Sequence, residues 1–168
     1  VLSRRLDRRI SVAAALIIGS LALVGCGSAT ERGAATFLRE HGSEARRAAA
    51  LVTALSTAVG ALPGKPSGAQ LEAVDLDGHR AHRALLAASN WTQAENGEEE
   101  GVSQAEKEIH EGTEALLNAA ADIHLYSLRP RPRSLAAYRR ELAAGREYWD
   151  QGIGELWFVA KKPGPPRI

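Results

Sequence analysis

From Leu38 onward, apolar and small residues recur at alternating steps of three and four. The first stretch gives Leu38, His41, Ala45, Ala48, Val52, Leu55, Val59 and Leu62. The second gives Leu71, Val74, Gly78, Ala81, Leu85 and Ala88, and the third Ala105, Ile109, Gly112, Leu116, Ala119, Ile123 and Tyr126. A fourth gives Leu135, Tyr138, Leu142, Gly145, Trp149, Gly152, Leu156 and Val159. This spacing is the seam of left-handed helix packing. The breaks between stretches are rich in proline, glycine or charge: Leu62–Pro66, Asn96–Gly101, Arg129–Arg133 and Lys162–Pro166. Ser67 with Gln70 and Ser103 with Glu106 fit capping boxes, and Ser134 is placed to cap the fourth stretch. No proline interrupts a stretch, and alanine and leucine dominate, as helix favours. The pattern predicts an all-α fold, an antiparallel up-down-up-down four-helix bundle. At 1.5 Å per residue, helices of roughly 26 residues make a rod about 40 Å long.

Short links fix the register, so levels can be paired across the bundle. Trp149 should share a level with Ala48, Leu85 and Gly112, one indole compensated by small neighbours. Val59, Val74, Ile123 and Tyr138 form a full layer at one end. At the other end Ala45, Ala88, Ile109 and Gly152 form a lean one. Two readings of that lean layer stand. Either the helices approach closely over small residues, or a ligand cavity lies between His41, Trp91, Ile109, Trp149 and Leu156.

Ahead of the bundle, Arg4, Arg5, Arg8 and Arg9 precede a 15-residue largely apolar run, Ile10 to Val24. A membrane-spanning helix needs about 20 apolar residues, whereas a cleaved signal core runs to about 15. The run ends in Leu23-Val24-Gly25-Cys26, and Cys26 is the one cysteine of the chain. This resembles the lipobox of bacterial lipoprotein signal peptides, over about the first 26 residues. The resemblance implies cleavage before Cys26, diacylglycerol on its sulfur and fatty acylation such as palmitate on the new amino terminus. Two or three lipid chains, at about 0.8 kcal/mol per buried methylene, hold a domain stably at a bilayer. The expected organisation is signal peptide 1–25, lipidated tether 26–30, bundle 31–160 and C-terminal tail 161–168. The expected location is the extracytoplasmic face of the cell membrane or outer membrane, reached by secretion.

Removing the leader changes the charge picture. The chain has 21 Lys+Arg against 20 Asp+Glu, but four arginines and one aspartate fall within residues 1–25. The remainder carries 17 against 19, about −2, and nothing in it suggests nucleic-acid binding. With Cys26 lipidated, neither a disulfide nor a cysteine metal site is possible.

Five histidines raise metal and haem chemistry. None has a glutamate three residues before it, so the paired Glu-x-x-His pattern of di-iron bundles is absent. Cys-x-x-Cys-His is absent, and without methionine a Met/His haem is excluded. The best metal set is Asp75 and His79, one turn apart, with His82 nearby and Asp122 approaching from the facing helix. No serine or threonine nucleophile is recognisably paired with a base, so no enzyme is expected, and no cofactor beyond the diacylglycerol on Cys26.

The two ends differ. Trp157 and Phe158, followed by Lys161 and Lys162, fall on outward positions at the tethered end and suggest a membrane-contacting foot. At the far end Arg129, Arg131 and Arg133 alternate with prolines in a stiff link, available to an anionic wall polymer or an envelope protein. The expectation from sequence is a membrane-tethered interaction or scaffold module of the cell envelope. The alternative is a small-molecule- or metal-binding bundle serving as a carrier or sensor.

Overall fold

A computed structural model of the chain describes the backbone of residues 7–91 and 100–168, and the side chains of residues 31–91 and 104–168. Cys26 and the leader arginines lie outside the described side chains, as does the whole Asn96–Gly101 break. Four helices form: α1 (Asp7–Gly60), α2 (Gly68–Ser89), α3 (Glu100–Leu128) and α4 (Pro132–Val159). Each packs on the next, and α1 also meets α4, closing a four-helix bundle. Cross-helix pairs run in opposite directions along neighbours. Gly112 lies against Trp149 and Gly152 against Ala105, Asp75 pairs with His124, and Arg146 reaches Ser56. The bundle is therefore antiparallel, as the short links require.

The helix ends follow local chemistry. Ser67 caps α2 in a full capping box: the Gln70 amide donates to Ser67 Oγ (3.3 Å), and the Ser67 amide to Gln70 Oε1 (2.8 Å). The other two expected caps are corrected. α3 starts at Glu100, three residues before Ser103. α4 starts at Pro132 with Arg131 as its N-cap, which puts Ser134 inside the helix. Proline at the first helical position has the required φ and no amide to satisfy, so it sets the start instead of Ser134. α4 ends with Lys161 in the left-handed region (φ 53°). The Lys162 amide donates to the Trp157 carbonyl (2.9 Å) and the Lys161 amide to that of Phe158 (3.0 Å), a Schellman closure. The chain then turns back along α4. Trp149 Nε1 donates to the Pro166 carbonyl (3.3 Å), and the Ile168 amide to Asp150 Oδ1 (3.0 Å).

The seam positions form the core. Val52, Leu55, Val59, Val74, Leu85, Ile109, Leu116, Ile123, Tyr138, Leu142, Trp149 and Leu156 are all buried. The tightest approach is between α3 and α4. A Cβ on Gly112 would lie 2.6 Å from the Trp149 amide nitrogen, and one on Gly152 2.6 Å from the Ala105 carbonyl. Glycine at these positions lets the two backbones touch, so the lean layer closes by helix approach.

Two expectations fail on packing grounds. Ile109 and Trp149 have 0% accessible surface, so no void large enough for a water adjoins either, and the cavity bounded by them is not formed. Instead His41 stacks on Trp91 (5.1 Å, 19°), Phe37 meets both rings edge-on, and Trp91 lies 6.5 Å from Trp149. Trp91 Nε1 donates to Glu44 Oε2 (2.8 Å), which takes the indole's polar end to the surface. The outward placement of Trp157 is also corrected. Its ring is 2% exposed over the α1–α4 seam, where α1 presents Gly42 and the Arg46 guanidinium lies 5.7 Å from the ring. The apolar stripe of α4 is wider than a two-position seam, because Ile153, Trp157 and Ala160 join Leu156 inside. Phe158 alone of the pair is outward, at 84% exposed.

Candidate metal centre

Asp75, His79 and His124 come together on the α2–α3 face, with one ligand atom from each lying within 4.8 Å of the others. Gly78 is what allows it. A Cβ there would sit 2.8 Å from Ile123 Cγ2, so its absence draws α3 against α2 and sets His124 beside Asp75. His79 follows Asp75 by one helical turn, which places both on the same face of α2.

Asp75 holds both imidazoles. His79 Nδ1 lies 2.9 Å from the Asp75 backbone carbonyl, and His124 Nδ1 lies 2.8 Å from Asp75 Oδ1. A carbonyl only accepts, so Nδ1 of His79 carries the proton, and an ionised Asp75 imposes the same on His124. In the neutral form of each ring, Nε2 then holds the free lone pair. Metal-bound histidines generally show this arrangement, with the second ring nitrogen donating to a carboxylate or a backbone carbonyl. The rings stand edge to face with centroids 5.1 Å apart. His79 and His124 are 56% and 44% exposed and Asp75 26%, so an ion can enter from solvent and the rings can turn to meet it.

His82 belongs to the same place. It lines, with His79, His124, Ala120 and Ala121, a groove of about 190 Å³ between the two helices. Two imidazoles held by a carboxylate, with a third imidazole beside them, are a nitrogen-rich set suited to zinc, copper or nickel rather than calcium or magnesium. Ligand atoms around a tetrahedral zinc lie about 3.3 Å apart, inside the 4.8 Å that bounds the present separations.

Asp122 does not take part. Adjacent residues differ by about 100° around a helix, which sets Asp122 about 200° from His124. If His124 faces α2, Asp122 must face α4, where burial and the nearby Glu141 charge raise its pKa against the lowering influence of Arg140. Reading along the seam finds Asp122 two residues away from the residue that matters. The missed residue, His124, is detectable only by asking which flank of the seam each residue occupies.

Elsewhere, Glu108 is 6% exposed between α3 and α4 and accepts from Gln104 (3.0 Å) and Gln151 (2.8 Å) through Oε1. Its second oxygen is buried without a partner, and its charge, after burial itself, raises the pKa of Glu155. Burial raises that of Glu106 as well. Among the described residues, no helix is long and apolar enough to cross a membrane. No family model, no curated protein and no solved structure matches this chain.

Proposed function

We propose that this protein is a lipid-tethered, extracytoplasmic helical bundle that captures a transition-metal ion of the zinc class on its α2–α3 face. The observation that carries the metal reading is the pair of imidazoles held by Asp75, His79 at 2.9 Å and His124 at 2.8 Å, with both Nε2 atoms left for an ion. The tether rests on the Leu23–Cys26 lipobox and the arginines before it. A carrier or sensor role follows from the exposure of the site: an open groove of about 190 Å³ loads and releases an ion without opening the core. The interaction-module reading has its own support in Leu125 and Leu128, 55% and 65% exposed beside His124 on α3.

The test uses the chain recovered from membranes in a neutral detergent. Its intact mass is expected to begin at Cys26 and to include diacylglycerol; an unmodified Cys26 rejects the tether. Calorimetry with zinc is expected to show one saturable site that magnesium does not fill. At about 100 times its dissociation constant, zinc should stabilise the fold by about 2.7 kcal/mol. The His79→Ala/His124→Ala double variant should lose that heat, while Asp122→Asn keeps it. No saturable heat in the unsubstituted chain rejects the metal reading.

A further inference from the structure

The opposite flank of α2 carries a second feature. Between α1 and α2 lies a groove of about 590 Å³, with Arg47 on one side and Arg80 and Arg83 on the other. Arg80 is paired with Asp77 at 3.0 Å. Glu44, three residues before Arg47 in the same groove, makes no ion pair with it. Its Oε2 accepts from Trp91 Nε1 at 2.8 Å and faces His41 Nδ1 at 3.9 Å. Arg47 and Arg83 thus make no ion pair among the described residues, although two helices bring them to one groove. Like charges lining one groove repel, and an anion bound between them offsets that repulsion.

The charge is local. Beyond the leader the chain carries 17 basic against 19 acidic groups, so this groove is not part of a general basic surface. Between the arginines, half-buried Leu51 and Ala84 supply an apolar floor. Guanidinium groups present paired donors in a fork that matches phosphate oxygens. We infer that the α1–α2 groove binds a phosphate-bearing amphiphile, its phosphate between Arg47 and Arg83 and its apolar part along Leu51 and Ala84. A phospholipid headgroup and a soluble phosphate ester share this chemistry. The inference does not depend on the metal centre, which uses the other flank of α2, so each can fail alone.

Calorimetry on the full chain in dodecyl maltoside, at constant ionic strength, tests it with hexyl phosphate, inorganic phosphate and hexyltrimethylammonium as probes. Hexyl phosphate is expected to bind saturably and the ammonium probe not at all. Arg47→Gln/Arg83→Gln should weaken hexyl phosphate at least tenfold with an unchanged melting temperature, since both side chains are exposed. Arg47→Lys/Arg83→Lys, which keeps the charge and loses the fork, should fall between. Displacement of hexyl phosphate by phosphatidylglycerol nanodiscs assigns a lipid source, and failure to displace it a soluble ester; both support the site. Inorganic phosphate binding as tightly as hexyl phosphate overturns the amphiphile. Absent binding of hexyl phosphate, or equal binding by the glutamine variant, overturns the site itself.

Discussion

Adding one methyl group at Gly112 tests the packing on which the bundle rests. A Cβ there meets the Trp149 amide nitrogen at 2.6 Å, and the Gly145 carbonyl and Trp149 Cα at 3.0 Å. All three are backbone atoms of α4, so no side chain can swing aside. Relief to an ordinary 3.4 Å requires about 0.8 Å of helix separation. A gap of 0.5–1 Å forfeits roughly a quarter to a half of the dispersion attraction across the contact. Overpacking of this kind typically costs about 1–3 kcal/mol, and immovable backbone puts it at the upper end. Against this, alanine is favoured over glycine in a helix by about 1 kcal/mol. The net expectation for Gly112→Ala is a loss of about 2 kcal/mol, or about 4–8 °C in a domain of this size. Gly154→Ala is the control, because it lies in the same bundle with nothing within 4 Å of its would-be Cβ. It should show the helix preference alone, a gain of about 0.5–1 kcal/mol. Urea unfolding followed by circular dichroism measures both. If Gly112→Ala matches or exceeds the stability of the unsubstituted chain, α3 and α4 do not touch there.

Trp157→Ala should cost about 3–5 kcal/mol by the same unfolding assay, because the ring is 2% exposed. Phe158→Ser, at 84% exposed, should stay within about 0.5 kcal/mol; equal losses would restore the outward register for Trp157. Glu155 titrates above its ordinary 4.5, through burial first and the Glu108 charge second. Its contribution to stability is therefore fully present below pH 4.5 and lost as pH rises through the higher folded-state value. Glu155→Gln should melt higher than the unsubstituted chain at pH 7 and converge with it below pH 4.5, and a constant offset across that range would refute the assignment.

The seam was legible because it obeys one number. Steps of three and four keep a residue on the inward face, so Val59, Val74, Ile123 and Tyr138 could be listed together without coordinates, and all four are buried. The volume compensation at Trp149 was legible for the same reason, with Gly112 directly against it. Residues flanking the seam were not. Trp157 is one position from Leu156, and its fate depends on how wide a gap α1 leaves at Gly42, which spacing within α4 does not encode. Asp122 and His124 have equal claims to face a neighbour until the hand of the bundle decides which neighbour. The Ser103 and Ser134 caps failed because a capping residue permits a helix start without forbidding an earlier one.

The flank problem also shows where the remaining signal lay. Residues 78–83 read Gly-His-Arg-Ala-His-Arg, a triplet of small residue, histidine and arginine that occurs twice. Three residues advance about 300° around a helix, so each member of the repeat drifts back by only about 60°. Each residue type therefore keeps to its own side. Gly78 and Ala81 fall on the core, where both are buried, and hold α2 close to its neighbours. His79 and His82 fall in the α3 groove with His124. Arg80 and Arg83 fall in the α1 groove with Arg47. A lean core makes this division sharp: small inward residues bring the helices together, and long polar side chains on the flanks become the walls of two grooves. The same closeness that leaves no water-sized void beside Ile109 and Trp149 places the chemistry on the outer faces, imidazole on one side of α2 and guanidinium on the other.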